Sequence, residues 1–555
     1  MMDREDVTPD RTDGPAGRGR EGARPAPAPG PAVRRPNERS SDRAARLSPG
    51  FWALVLAVGV GAGLAGAGLL GILHGLERVA WGPGNLLDSV RATGPAHRVL
   101  VLSIAGALAG AGAYVLRHAI RGHGGGLTDG IWFHGGEFPL VRTLARAVLA
   151  ISVVALGASL GREGALEQAG AALSSAAARR FRLTGPERRL LAACGAAAGF
   201  AAAYDVPLGA ALFAAEVLLG VLSLEVVAPL LLASVCGAAA SRLFLPDRTT
   251  YALPHLATGW SQLAWAALAA PLLGVAAALY VRGFDRFDAL EPRRGWLFPA
   301  PALALTLLGL ASIPFPELLG NGKDVIQEAL RAAVPLGLLA VLPALKFLAV
   351  GCCAGSGVPG GLFTPTICVG ALLGGLLGAG WEHLWPGGPA GAYALVAMGA
   401  FLAGATHGPI SAVVLVLELT GDLHALAPLA LACAVAVTVS RALEPRSLYT
   451  ARLERHLRQA LALAPPRRDA DGVPLGRAES LPAAARFAVV MDRLLSRPGR
   501  KDPILVIDHD ARPVGRLTLD SVRRRMASDL PRDFLTARDL ADPIGEREEA
   551  PGPGS

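Results

Sequence analysis

The sequence predicts an all-α, polytopic membrane protein with a small α/β unit appended to it, and three observations carry that prediction. Of the 555 residues 52% are apolar and the mean hydropathy is +0.42, too hydrophobic for a string of soluble domains. Charge is segregated: residues 1–48 and 445–555 are dense in Arg, Asp and Glu, whereas 51–440 is mostly Ala, Leu, Gly and Val, with charges in short clusters. The apolar block, finally, is broken into many runs, several far shorter than the ~20 residues that a perpendicular helix needs to cross the hydrocarbon core.

Residues 1–48 contain "RPAPAPGPAVRRP" and no apolar core, which fits a disordered cytoplasmic tail and not a cleaved signal peptide. Helix-forming apolar runs follow at 51–75, 97–120, 143–160, 163–178, 188–203, 206–240, 262–281, 297–314, 335–353, 361–380, 391–405, 408–419 and 424–441. Half-length runs separated by Gly-rich turns indicate helices that end inside the membrane. Such ends are tolerated only where protein or a water-filled path surrounds them, so a transport pathway is expected over a simple anchor. Small residues crowd the runs, as in "VGVGAGLAGAGLLG", and let helices approach closely in lipid. The Arg-rich connections 179–189 and 282–294, like both tails, are expected on the cytoplasmic side of the cell membrane. The membrane domain is assigned to 49–461, a linker to 462–480, the soluble unit to 481–545 and a second tail to 546–555. Within the unit, "DPILVIDHDARPVGRLTLDSVRRRM" (502–526) reads as strand, turn with Asp510 and Gly515, strand and short helix, preceded by a helix over 482–496.

Other classes fall away. The net charge of +8 comes from arginines that flank apolar spans, so membrane anchoring accounts for it and no nucleic-acid partner is expected. Cys194, Cys236, Cys352, Cys353, Cys368 and Cys433 all lie in apolar segments without metal-ligand spacing, and read as small packing residues. No nucleophile–base pair or metal cluster is visible; the chain is not expected to be an enzyme or to carry a cofactor.

Two stretches carry chemistry. In "GASLGREGALEQA" (157–169) Arg162 and Glu163 stand between two apolar runs, which places Glu163 on the first turn of a membrane helix. A charged pair between helices is usually a surface turn, but an intramembrane carboxylate is functional by default. The positive end of the helix dipole favours negative charge there, whether a carboxylate or a dissolved anion. The second stretch, "GSGVPGGLFTP" (355–365), has glycines that leave backbone N–H groups unobstructed and Pro365 at the start of a helix running to about 380. It lacks the Lys-Ser/Thr of a phosphate loop.

Together "GREGA" and "GSGVPGGLFTP" resemble the signatures of the CLC family of chloride channels and chloride/proton antiporters, over roughly 51–461. The resemblance implies an inverted repeat of discontinuous helices, a homodimer with one pore per subunit, and chloride as the transported ligand. It assigns Glu163 as the gate, flanked by Gly161, Arg162 and Gly164, and the amides of Leu362 and Phe363 as the anion contacts. Gly355, Ser356, Gly357, Gly361 and Pro365 form the supporting frame. Tyr449, in "PRSLYTARLERH", matches the tyrosine that closes the anion site from the cytoplasm; without the family it would read as an interfacial anchor. "GHGGGLTDGIW" (122–132) departs from the family pattern: His123, or Gly125 after a register shift, stands where a serine is common, and either way a hydroxyl donor is missing. His123 reads equally as a pH-responsive chloride contact and as a structural hydrogen-bonder. Val217 occupies the position of the inner proton-accepting glutamate of many antiporters. Its neighbour Glu216 points roughly 100° away on a helix.

These readings favour a glutamate-gated, voltage-gated chloride channel. The alternatives are a chloride/proton antiporter using the same glutamate and a membrane scaffold or sensor acting through the C-terminal unit. That unit resembles one degenerate cystathionine-β-synthase (CBS) repeat, for which docking is expected and nucleotide binding is not.

Overall fold

The structure is a computed structural model that describes residues 47–120, 126–245, 250–252, 259–290, 292, 294–386, 390–453 and 455. Near the C-terminus it describes 467–468, 474–475, 480–495, 504–507, 513–518, 521–522 and 535–543. His123, Gly125, Asp510 and both expected tails lie outside the described residues, apart from 47–48.

The membrane block is two runs of helices with matching order. The first comprises α1 (Pro49–Trp81), α2 (Leu86–Ala92), α3 (Pro95–His118), α4 (Leu127–Trp132), α5 (Leu140–Ala155), α6 (Glu163–Arg180), α7 (Gly185–Tyr204), α8 (Pro207–Phe213) and α9 (Leu224–Arg242). The second comprises α10 (Trp260–Asp288), α11 (Pro299–Ala311), α12 (Lys323–Leu330), α13 (Leu336–Gly355), α14 (Phe363–Glu382), α15 (Ala390–Thr406), α16 (Pro409–Thr420) and α17 (Leu426–Leu443). Packing repeats between them: α7 lies against α6, α9 and α1, and α15 against α14, α17 and α10. Seven helical stretches are long and apolar enough to cross a bilayer, whereas Pro207–Leu219, Pro299–Ala311, Gly391–Thr406 and Pro409–Thr420 are apolar but shorter. At 1.5 Å per residue, a helix of about 13 residues reaches ~20 Å of the ~30 Å hydrocarbon core. The discontinuous inverted repeat expected from the sequence is therefore the architecture.

The two halves meet at their breaks. Helix α5 ends at Ala155 and α6 begins at Glu163; α13 ends at Gly355 and α14 begins at Phe363, the same interval. In each loop a glycine in the left-handed region turns the chain, Gly157 (φ 103°) and Gly357 (φ 85°). Four residues later Gly161 and Gly361 pair antiparallel, each N–H donating to the other's carbonyl at 2.7 Å. A second exchange locks the halves. Glu216 accepts from the N–H groups of Ile410 (3.3 Å) and Ser411 (2.7 Å) at the start of α16, and Glu418 accepts from Leu208 (3.1 Å) and Gly209 (2.6 Å) at the start of α8. Both helices begin with proline, which lacks the N–H that would otherwise be unpaired, and each carboxylate satisfies the next two orphan donors.

Some elements differ from expectation. The run 206–240 is not one helix: α8 passes into a π-helical turn, Ala214–Leu219, which Gly220 ends at φ 68° before α9 starts. The short helices α2, α4 and α12 were not anticipated, because their apolar content is too brief to show a period. Cys352 is exposed, unlike the buried Cys194, Cys353, Cys368 and Cys433, so packing does not account for all six cysteines.

In the C-terminal region a short pair, β1 (Arg467–Arg468) and β2 (Pro474–Leu475), precedes a four-stranded sheet of β3 (Ser480–Pro482), β4 (Ile504–Ile507), β5 (Pro513–Leu517) and β6 (Asp542–Pro543). Strand β4 pairs parallel with β3 and antiparallel with β5. Gly515 lies inside β5 opposite Val506 and not in the turn expected, because the strand already begins at Pro513. Helices α18 (Phe487–Leu495) and α19 (Ala537–Leu540) cover the sheet.

This unit is joined to α7 by a buried ion pair. Arg189 Nη2 lies 2.6 Å from Asp539 Oδ2 and Nη1 donates to Thr536 Oγ1 at 3.2 Å, with Arg189 only 1% exposed. Burial alone would raise the Asp539 pKa, but the Arg189 guanidinium and the Thr536 hydrogen bonds outweigh it and hold the carboxyl below its ordinary value. A depressed carboxyl stabilises docking above its unfolded pKa of roughly 4 and loses that contribution as pH falls. Arg189→Met leaves the buried Asp539 carboxylate without this counter-ion, a loss of about 3–5 kcal/mol. Faster amide exchange over 535–543 is expected in the variant at neutral pH and in the parent below about pH 4.

Candidate functional site

Several helix starts in this protein are closed locally: the Ser48 hydroxyl accepts from Phe51 N–H in α1, Asn85 caps α2, and Thr184 with Glu187 forms a capping box on α7. The N-terminus of α14 has no such local cap. Its first N–H, on Phe363, donates instead to Glu163 Oε1 across the repeat at 2.8 Å. The Glu163 Oε2 atom accepts from the Tyr204 hydroxyl at 2.8 Å and from Thr364 Oγ1 at 3.2 Å. The carboxylate is only 1% exposed and sits where the unsatisfied amides and dipole of α14 favour negative charge.

The surroundings fix that geometry. A Cβ on Gly361 would stand 2.3 Å from Glu163 Oε1, and one on Gly161 would stand 2.0 Å away, so only glycine leaves room for the folded-back side chain. The rings of Phe200, Tyr204 and Phe213 pack around Phe363, the closest pair being Phe200 and Phe363 with centroids 4.9 Å apart. Arg162 precedes Glu163, donates to Ala203 O at 3.1 Å and lies 4.8 Å from the centre of the Tyr204 ring.

Tyr449 reaches the same region from the other side. Helical residues resume at 448, where Ser447 and Thr450 cap each other: Thr450 N–H donates to Ser447 Oγ (3.2 Å) and Ser447 N–H to Thr450 Oγ1 (2.8 Å). Arg446 ties this segment to Asp285 at the end of α10 (3.0 Å), and Arg455 pairs with Asp285 and Asp288. The Tyr449 ring packs edge-on against Phe213, centroids 5.5 Å apart.

Two cavities approach Glu163. An inner one of about 200 Å³ is lined by Glu163, Glu167, Leu362 and Tyr449, with Arg452 and Arg455 toward its mouth. An outer one of about 220 Å³ is lined by Arg162, His74, Glu77, Lys323 and Asp324. Glu163 lines the first, and the adjacent Arg162 lines the second.

Most of the residues singled out from the sequence are thus gathered at one point: Gly161, Arg162, Glu163, Gly164, Gly361, Leu362, Phe363 and Tyr449. Pro365 is the third residue of α14, and Gly357 lines the inner cavity. Gly355 ends α13 against the Phe287 carbonyl. The Ser356 hydroxyl donates to Cys353 O at 2.8 Å and does not reach the inner cavity. Val217 is buried in the π-helical turn, and the adjacent Glu216 is engaged as the α16 cap. Sequence reasoning missed Tyr204, Thr364 and Glu167. Tyr204 was legible as a lone hydroxyl in an Ala-rich run and Glu167 as a carboxylate four residues after Glu163; Thr364 had no signal beyond adjacency to Phe363.

A family model described as "Voltage gated chloride channel" matches residues 99–441. A putative chloride channel protein, ClcB-like, from Ralstonia nicotianae is 34% identical over 427 residues, 72% of this chain and 99% of its own. The voltage-gated ClC-type chloride channel ClcB of Citrobacter koseri is 31% identical over 424 residues, 73% of this chain and 100% of its own. Among solved structures, a slow cyanobacterial Cl⁻/H⁺ antiporter superposes with a TM-score of 0.65 at 24% identity, covering 74% of this chain and 98% of that one. A CLC-type fluoride/proton antiporter gives 0.60 at 21% identity, covering 73% and 99%. At these identities the structural likeness speaks for the fold alone.

Removing both hydroxyls by Tyr204→Phe and Thr364→Val leaves Oε2 without a donor, a loss of about 1.5–3 kcal/mol for each hydrogen bond to a charged group. The Glu163 side chain is then expected to populate a second rotamer, visible in an experimental density map. A single unchanged rotamer would mean that the Phe363 amide alone holds it.

Proposed function

Because the chain belongs to the voltage-gated chloride channel, or CLC, family, we propose that it carries chloride across the membrane through a pathway closed by the Glu163 carboxylate. The observation that supports this reading is the hydrogen bond from Phe363 N–H to Glu163 Oε1. A carboxylate held by a helix N-terminus in the middle of a membrane domain occupies a place suited to an anion. Chloride has the same charge and competes for the same donors.

The mechanism follows from that competition. Chloride enters the inner cavity and is held by the Leu362 amide and the Tyr449 hydroxyl, both of which face it with partial positive charge. The Tyr449 hydroxyl has no hydrogen-bond partner among the described residues. Dipoles hold the ion firmly enough to admit it and weakly enough to release it, whereas a lysine in the path would trap it. Ionised Glu163 blocks the step to the outer cavity. Protonation weakens its hold on the Phe363 amide, and an incoming chloride displaces it; either event opens the route past Arg162.

Passive conduction is the mode we favour, since Val217 leaves the inner proton position apolar and Glu216 is committed to a helix cap. Exchange for protons is the second reading, favoured by Glu167, which lines the inner cavity. The protein is proposed to work as a homodimer in the cell membrane with its Arg-rich face and both termini in the cytoplasm. The C-terminal unit, proposed as a single CBS-like repeat, docks on that face through Asp539 and binds no nucleotide.

Glu163→Gln mimics the protonated gate and is expected to remove the pH dependence of chloride efflux from proteoliposomes that the parent shows. An unchanged pH response would remove Glu163 from the gate. A proton gradient imposed on the parent separates the two modes: uphill chloride movement requires exchange, and its absence conduction.

A further inference from the structure

The conduction mode favoured above leaves a carboxyl beside the inner cavity unused. Glu167 lies one helical turn after Glu163 on α6, about 6 Å further along the axis and on the same face. It is 6% exposed, and what exposure it has opens onto the inner cavity beside Leu362 and Tyr449. No hydrogen bond to its carboxyl is found among the described residues. Buried carboxyls are ordinarily paired or hydrogen-bonded, because an isolated ionised one is costly to desolvate.

The repeat supplies an internal comparison. The intervals that bring α6 and α14 into register place Ile367 at the position in α14 that Glu167 holds in α6. Ile367 is buried and apolar. The helix and its packing therefore do not require a carboxyl here, and an aliphatic side chain fills the equivalent place.

The groups around Glu167 leave it without a dedicated counter-ion. On α6 the nearest charge is Glu163, of the same sign. Tyr449 faces it from the 448–453 segment as a neutral hydroxyl. Toward the cavity mouth lie Asp129 on α4, Arg146 on α5, Asp285 and Asp288 on α10, and Arg452 and Arg455. Arg452 is engaged with Asp129 (3.6 Å) and Asp288 (3.7 Å), and Arg455 with Asp285 and Asp288. Helix α7 presents the Gly199 backbone to the Glu167 amide, and α1 presents Gly66 to neighbouring Leu166; neither contact brings a charge.

We propose that Glu167 is a proton-binding site whose protonation is linked to chloride occupancy of the inner cavity. The inference rests on the chloride pathway proposed for this cavity. Two negative charges share the cavity when chloride enters beside an ionised Glu167, and a proton from cavity water, converting the carboxylate to the neutral acid, relieves the repulsion. By linkage, chloride raises proton binding by the factor by which the proton raises chloride binding. Glu167 thus gives the cytoplasmic side a titratable group at a place other than the one occupied by Val217.

The test counts protons. Chloride is titrated calorimetrically into the purified full-length protein at one pH between about 6 and 8, in buffers of different ionisation heat, which yields the protons taken up per chloride bound. The Glu163→Gln background removes the gate's own contribution. In that background chloride binding is expected to take up a fraction of a proton and to weaken severalfold as pH rises. Adding Glu167→Gln, or Glu167→Ile after the repeat's own solution, is expected to abolish the uptake and leave chloride affinity independent of pH. Two variants of different polarity guard against one that fails to fold, and the elution profile of the dodecyl maltoside-solubilised protein reports folding. Chloride binding with undiminished proton uptake in both double variants overturns the role of Glu167 alone. No chloride binding in the parent or in any variant overturns the pathway reading and this proposal with it.

Discussion

Two hydrogen bonds between Gly161 and Gly361 hold the two breaks in the membrane helices against one another, and the rest of the site depends on them. Extended backbone inside a bilayer has no water to satisfy its N–H and C=O groups. Here each broken segment satisfies the other, 2.7 Å in both directions, so neither needs solvent. The pairing aims the α6 and α14 starts at a common point. It also demands glycine twice over, since a Cβ at either position would occupy the space of the Glu163 carboxylate. A carboxylate can reach across to the opposite half's helix start here only because the residues beneath it have no side chains.

The electrostatics follow from what is left uncapped. Many helix starts here are closed by a neighbouring side chain or a proline. The α14 start is closed by a residue 200 positions earlier in the chain, reached from the opposite half. A partner brought in from outside the helix can be exchanged for another of like charge without disturbing the helix itself. The same N–H that holds Glu163 is available to whatever replaces it.

How much of this was legible varied with the physics behind each feature. Glu163 stood out because charge inside an apolar run is expensive, and "GSGVPGGLFTP" because consecutive glycines before a proline-bearing helix start are unusual. The split of 206–240 was not legible: apart from Glu216 and Glu225 the run is largely apolar, and the break falls at the left-handed Gly220 after the π-helical turn. The role of Glu216 as a helix cap was not legible for a related reason. Its direction on a regular helix can be estimated from the period, but its partners are the amides of Ile410 and Ser411, nearly 200 residues away, and no local pattern announces them. Tyr204 showed as a lone hydroxyl in an alanine-rich run, but nothing local pointed to its partner Glu163, 41 residues earlier. Long-range polar partners are what one-dimensional reading loses first.

The exchange of caps between Glu216 and Glu418 bears on how such a chain can come to exist. Each glutamate lies nine residues after the proline that starts its own short helix, and each closes the other half's helix. A half-length chain on its own would meet neither requirement, for its glutamate would have no helix start to close and its helix start no glutamate. Two copies of that half, inserted in opposite senses, would satisfy both at once. The cross-wiring is thus a requirement that neither half meets alone, and carrying both halves in one chain guarantees each its partner.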